Sequence, residues 1–498
     1  MSVNISYTED RPSTLPDGIF SLLDTDLYKL TMQCCLLKYF DDVDVKYTLT
    51  NRTPDMKLNR TAVRWLQDQI DKLGTISLTA EEAEFLRLNC KYLNEPYIAY
   101  LSTFRFRPRE QVELTFHPDN DTGSEGDTGP IALEVHGKWL DTILYEIPLL
   151  ALVSESYFKF VDRDWSYEGQ IERARHKAEQ LCQKGCFFSE FGSRRRRDYH
   201  THELVIRGLQ QGHDEAIERP NWPGRLTGTS NVHFAMKHGI PPVGTVAHEF
   251  FMAVAAITND YEDANETALR YWIGTYGEGV LGIALTDTFG TKDFLRAFAR
   301  PIPKTTIAKP GAAATLPSTG PQEEEGSITD TKPPIEAPQE DGEGATHTYA
   351  QVFTGVRQDS GNPEEFVKTM RQFYDEQGIK EEKTIVFSDS LNVDLCDKYK
   401  KQAEAAGFRP SFGIGTFLTN DYARKSTGQK SVPLNIVIKI SKAAGRPCIK
   451  ISDNIGKNTG DSETVANVKQ RLGYSEKEWV DGDEKTRWGK EGDQASKA

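Results

Sequence analysis

Three stretches in the second half of this chain share one pattern, in which a short apolar run breaks into polar residues. Residues 280–285 end in Thr286-Asp287-Thr288, residues 384–387 end in Ser388-Asp389-Ser390, and Phe412 leads into Gly413-Ile414-Gly415-Thr416. Residues 362–376 and 391–406 lie between them with the periodicity of amphipathic helices. A run that is apolar at successive positions has no wet face. The spacing therefore predicts strands buried on both sides, in a parallel sheet covered by helices. In a barrel of this kind the reactive groups gather at the strand C-terminal ends, where the polar loops fall.

The chain has 498 residues, more than one ordinary core holds, so two domains are expected. Residues 1–150 are predicted to form an N-terminal α/β domain. Thr79 and Glu82 have capping-box spacing, and Val112, Leu114, Phe116 and Ile131, Leu133, Val135 alternate as half-buried strands. Residues 139–157 carry a helical apolar pattern. Residues 151–475 are predicted to form the barrel-like domain. A Pro/Gly/Glu-rich stretch at 301–346 interrupts it, too polar to offset its own ordering entropy and expected as a disordered surface insertion. A β-hairpin is expected where residues 434–440 and 447–451 flank Ala443-Ala444-Gly445-Arg446. Residues 476–498 form a polar tail.

A formal net charge of −14 argues against a nucleic-acid binder, which needs a basic footprint. It leaves room for a small anionic substrate, because a few arginines can focus positive potential inside a cleft. The seven cysteines are scattered and odd in number, which points to reduced thiols in the cytosol or nucleus. Cys182 and Cys186 with His200 and His202 do not have zinc spacing. The first sixteen residues lack an apolar core for a signal peptide, and no apolar run is long enough for a membrane span.

His248 stands in Gly244-Thr245-Val246-Ala247-His248-Glu249. Alone it reads as a packed histidine near a helix start. Its company suggests more: a nucleophile or proton carrier working on a phosphate ester. Arg194 to Arg197 alone read as a solvated face or a basic targeting patch, but they also offer guanidinium forks for phosphate oxygens, and one or two of the four are expected to enter a site. Gly413, Gly415 and Thr416 read either as a generic phosphate cradle or as a plain glycine turn, and no Walker A loop is present. Arg357 and Asp359, two apart, would share one face of an extended segment. There they could grip a sugar phosphate and stabilise an oxocarbenium ion, or merely pair with each other. Tyr28, in Asp24-Thr25-Asp26-Leu27-Tyr28-Lys29, suits stacking on a planar ligand as well as a core.

Together these runs resemble nicotinate phosphoribosyltransferases of the eukaryotic or fungal type. The resemblance spans nearly the whole chain and includes Gly137-Lys138-Trp139-Leu140-Asp141-Thr142, Glu190-Phe191-Gly192-Ser193-Arg194-Arg195, Gly228-Thr229-Ser230-Asn231-Val232, Leu285-Thr286-Asp287-Thr288 and Phe387-Ser388-Asp389. It implies a type II phosphoribosyltransferase fold, an N-terminal α/β domain packed against an irregular α/β barrel, commonly as a homodimer. It implies conversion of nicotinate, phosphoribosyl pyrophosphate, ATP and water to nicotinate mononucleotide, pyrophosphate, ADP and phosphate, the entry step of NAD salvage, with Mg2+ required. By motif, His248 is the residue phosphorylated by ATP, with Asp359 as the second catalytic group. Tyr28, Thr245 and Arg357 match the nicotinate contacts. Thr416 matches the phosphoribosyl-binding threonine, and Arg194, Asp389, Gly413 and Gly415 are expected to join it in binding phosphoribosyl pyrophosphate. The metal ligands stay unassigned. Nicotinamide phosphoribosyltransferase, a non-catalytic nucleotide-binding paralogue and an unrelated sugar-phosphate barrel are the other readings.

Overall fold

The computed structural model describes residues 9–304, 307, 347–454 and 458–474. Most of the expected insertion and the whole C-terminal tail lie outside these residues.

The apolar runs of the second half are strands of one parallel sheet: β4 Phe187–Glu190, β5 Arg225–Thr229, β6 Ile283–Leu285, β7 Gly355–Gln358, β8 Thr384–Phe387 and β9 Arg409–Ile414, in the order β5-β4-β9-β8-β7-β6. Phe188, Val356, Ile385, Phe387, Phe412 and Ile414 are all buried, and Phe387 stacks on Phe412 at 5.6 Å. Burial on both faces is what continuous apolar runs require. Strand β6 starts later than residue 280, because Leu281 sits at φ 48°, a left-handed turn no strand can include. Asn362 caps α6 Pro363–Glu376 and Asn392 caps α7 Val393–Ala405, each accepting backbone N–H groups.

A second, antiparallel sheet joins both ends of the chain. β1 Asp44–Asn51, β2 Val112–Phe116 and β3 Ile131–Lys138 come from the first part; β10 Ile436–Ala443 and β11 Arg446–Pro447 come from the last. β10 pairs with β1 from Val45↔Ala443 to Asn51↔Ile436. Ala444 and Gly445 both have positive φ, 49° and 77°, so a two-residue hairpin turn forms as the sequence predicts. The returning arm is shorter than expected. After Cys448 it leaves the sheet, and the Ile451 N–H donates to the Thr288 carbonyl at 2.8 Å. That departure carries Lys450 to the ends of the parallel strands.

Helix α1 is Leu27–Tyr39, and α2, Ala80–Asn89, has the expected Thr79–Glu82 capping box. The helical stretch expected over 139–157 is broken: a turn at Trp139–Thr142, a 3-10 turn at Ile143–Tyr145, then α3 Glu146–Phe160. Pro148 explains this, since it has no N–H to donate to the Leu144 carbonyl one turn back. Helix α4 is Tyr199–Ile217 and α5 is His248–Thr258. No helix among the described residues is long and apolar enough to cross a membrane.

Candidate active site

A cleft opens at the C-terminal ends of the parallel strands, roofed by β10 and by the first turns of α1, α3 and α5. Its lining includes Tyr28, Glu146, Arg194, Arg195, His248, Arg357, Asp359, Asp389, Gly413, Gly415, Thr416 and Lys450. Nine of the ten residues singled out from the sequence therefore meet, drawn from positions 28 to 416. Thr245 is the exception. It is half-buried and not among the lining side chains, and its carbonyl accepts from the Thr31 hydroxyl at 2.5 Å.

His248 begins α5. Its Nδ1 lies 3.0 Å from Thr288 Oγ1, and its Nε2 lies 3.0 Å from Asp359 Oδ2 and 2.9 Å from Lys450 Nζ. Burial pushes its pKa below the usual value, and the Lys450 ammonium adds to this against the pull of Asp287 and Asp359. The ring is thus held neutral near pH 7, with a lone pair available. Burial alone would raise the Asp359 carboxyl. The Arg357 guanidinium, the imidazole hydrogen bond and Lys450 instead hold it well below the carboxylate range. Asp287, although buried, is held low chiefly by Lys450, 3.1 Å from its Oδ2.

Arg357 points from β7 into the cleft, its Nε donating to Ser388 Oγ at 3.1 Å and its Nη1 to the Val246 carbonyl at 3.2 Å. Ser388 in turn donates to Asp359 Oδ1 at 2.7 Å. Arg357 and Asp359 share a face, as a spacing of two dictates, with Nη2 3.5 Å from Oδ1. Of the four successive arginines, Arg194 and Arg195 face the cleft. Arg196 is buried in a two-pronged pair with Asp24, at 2.7 and 2.6 Å, and Arg197 is packed between Phe158 and Tyr422. Gly413 is a glycine for a local reason: a Cβ there would lie 2.2 Å from Cε2 of Phe191, whose ring closes the cleft floor. The glycines lead into α8 Thr416–Thr419, a single turn.

Three features were not legible in the sequence. Lys450 comes from the hairpin's return arm and has no motif to mark it. Glu249, next to His248, makes no hydrogen bond to the ring; it accepts from Tyr47 OH at 2.5 Å and Trp139 Nε1 at 2.8 Å. His202, considered above beside two cysteines, is instead paired with buried Glu190 at 2.9 Å. A metal could be offered ligands by His248, Asp287 and Asp359, whose candidate atoms lie within 4.8 Å of one another. Asp287 Oδ1 is buried with no hydrogen-bond partner, as an oxygen awaiting a cation would be.

This geometry suits a flat acid beside an anionic sugar phosphate, and comparison with known proteins agrees. The nicotinate phosphoribosyltransferase (NAPRTase) N-terminal domain matches residues 23–154, and the nicotinate phosphoribosyltransferase (NAPRTase) family matches residues 186–305 and 335–476. A nicotinate phosphoribosyltransferase of Saccharomyces cerevisiae is 42% identical over 475 residues, covering 94% of this chain and 99% of the relative. One from Methanosarcina mazei is 34% identical, covering 90% and 96%. A crystal structure of such a protein from Saccharomyces cerevisiae superposes with a TM-score of 0.79 at 41% identity, covering 93% of this chain and all of that one. The parallel sheet, the second sheet that closes over it and the lineage of the whole sequence point one way: the chain belongs to the nicotinate phosphoribosyltransferase family.

Proposed function

We propose that this enzyme joins nicotinate to the ribose of phosphoribosyl pyrophosphate, releasing pyrophosphate, and couples the step to ATP through His248. The observation that carries the reading is the convergence of Tyr28, Arg357 and the His248–Asp359 pair in one cleft with Arg194 and Thr416. Tyr28 offers a ring for the pyridine face, and Arg357 a fork for its carboxylate. Thr245 lies on the loop that leads into His248 and sits at the edge of this pocket rather than in it. Arg194, Asp389 and the Gly413–Thr416 turn face the sugar phosphate.

The pyridine nitrogen already carries a free lone pair at neutral pH, so no general base is needed to create the nucleophile. It attacks C1 of the ribose as the bond to pyrophosphate breaks. The Asp359 carboxylate, kept ionised by its basic neighbours, is suited to stabilise the positive charge that develops at C1. In the coupled step a neutral ring nitrogen of His248 takes the γ-phosphoryl of ATP and ADP leaves; water later releases phosphate. Lys450, within hydrogen-bond distance of the ring, places positive charge where the phosphoryl oxygens would lie. The oxygens of Asp287 and Asp359 fit Mg2+, a hard cation that takes one or two carboxylates alongside substrate phosphates. Bound there, it would neutralise phosphate charge.

A homodimer and a cytoplasmic or nuclear home are part of the same proposal, and sedimentation and imaging of the tagged chain test them. The central test is a product assay with nicotinate against nicotinamide, with and without ATP. Nicotinate mononucleotide should dominate, and ATP should stimulate its formation. Equal use of the two bases would overturn the reading in favour of an enzyme that ignores the carboxylate.

A further inference from the structure

Lys29 is completely buried beneath the cleft, yet the reaction just described gives it nothing to do. Its ammonium meets two carboxylates at once, Glu146 Oε2 at 2.5 Å and Glu249 Oε2. The three residues come from three helices. Lys29 lies in the first turn of α1, Glu146 is the first residue of α3, and Glu249 is the second of α5. Glu249 is fixed further by Tyr47 and Trp139. Glu146 turns its other oxygen toward Arg194, 3.8 Å away.

Three charges drawn largely out of water are a costly way to hold helices together, because desolvating them offsets most of the attraction; apolar side chains of similar volume would often hold as well or better. What distinguishes this cluster is its neighbours. Lys29 follows Tyr28 directly, and its ammonium lies 5.6 Å from the Tyr28 ring centre. Glu249 follows His248 directly. Glu146 faces the guanidinium of Arg194. The cluster therefore touches the supports of three proposed site groups, and Lys29 itself, unlike Glu146 and Glu249, does not line the cleft.

We infer that Lys29 is a positioning residue: by gripping Glu146 and Glu249 together it fixes Tyr28, Arg194 and His248 relative to one another. The inference rests on the proposed roles of those three residues. With the ammonium gone, Glu146 keeps Arg194, 3.8 Å away, as a cationic partner and would draw that guanidinium toward the cleft wall. The first turns of α1 and α5 would lose their shared anchor.

The test separates positioning from stability with two variants. Lys29→Met leaves buried Glu249 and partly buried Glu146 without their shared cation and should lower the melting temperature. Adding Glu249→Gln removes one of those charges while keeping an oxygen for Tyr47 and Trp139, and should recover most of the lost melting temperature. Both variants should nevertheless lose on the order of 10²-fold in kcat/KM for nicotinate, since small misplacements of catalytic groups cost about that much. KM for nicotinate should rise and phosphoryl labelling of His248 should fall. Kinetics that recover along with the melting temperature would show a merely structural role and overturn the inference. A crystal structure of the double variant judges the same point without turnover: Tyr28, Arg194 and His248 all within about 0.5 Å of their wild-type positions would also overturn it. Wild-type protein that ignores nicotinate would count against the proposed function alone.

Discussion

Replacing Arg357 by alanine probes the claim that this pocket is built for a carboxylate. The guanidinium is held before any ligand arrives, by Ser388 on Nε and the Val246 carbonyl on Nη1. Little ordering cost remains when its remaining N–H groups meet an anion, so most of a charge-assisted pair should appear as affinity. That puts the loss at about 2–4 kcal/mol for nicotinate. At about 1.4 kcal/mol per tenfold, this is roughly 30- to 700-fold in binding. Nicotinamide, which brings no charge, should lose less than about tenfold, so selectivity should collapse from the nicotinate side. The fold should survive, because Asp359 keeps Ser388, His248 and Lys450 as partners. The assay is kcat/KM for both bases on wild type and variant, with melting temperatures alongside. An equal loss for the two bases would mean that Arg357 supports the pocket without reading the carboxylate, and an unchanged value for nicotinate would refute its role altogether.

His248→Ala should abolish acid-labile labelling by γ-labelled ATP and the ATP stimulation while leaving slow phosphoribosyl transfer; label retained at the wild-type level would place the phosphoryl group elsewhere. Removing residues 305–345 should leave a folded, active enzyme, because the Ile302 N–H already meets the His347 carbonyl at 2.8 Å and Pro301 bridges Thr348; a large drop in melting temperature or turnover would show that the removed stretch packs or gates. Asp453 is pushed up to about 6 from 3.8 by burial and by the Asp287 carboxylate, against hydrogen bonds from Thr291. Its folded-state pKa is raised, so the folded state binds the proton more tightly and the residue's contribution to stability falls as pH rises from about 4 to 6. Asp453→Asn should therefore be more stable than wild type at pH 7.5 by up to about 3 kcal/mol, with the difference vanishing near pH 4; a melting-temperature gap that does not change with pH would refute the assignment.

Much of this protein is local enough to read from its residues. The strand-loop-helix pattern of β8 and β9, the Thr79–Glu82 capping box and the turn at Ala444 and Gly445 each depend on a few neighbouring residues. So does the sharing of one face by Arg357 and Asp359. Local chemistry fixes such features before the chain folds. Motif likeness also gathered residues from 28 to 416 into one proposed site, but it could not say what each one faces. Arg194 and Arg196 are two apart, yet one lines the cleft and the other is locked onto Asp24. Glu249 adjoins His248, yet it pairs with Lys29 and not with the ring. Lys450, carrying no signature, reaches His248 from 202 residues away because β10 pairs with β1 and the chain then leaves the sheet at Cys448. Side-chain direction and long-range partners depend on how helices and sheets pack. The sequence by itself determined the elements and the chemical inventory of the site; only the tertiary structure decided which charges face the substrate and which are spent inside the protein holding the others in place.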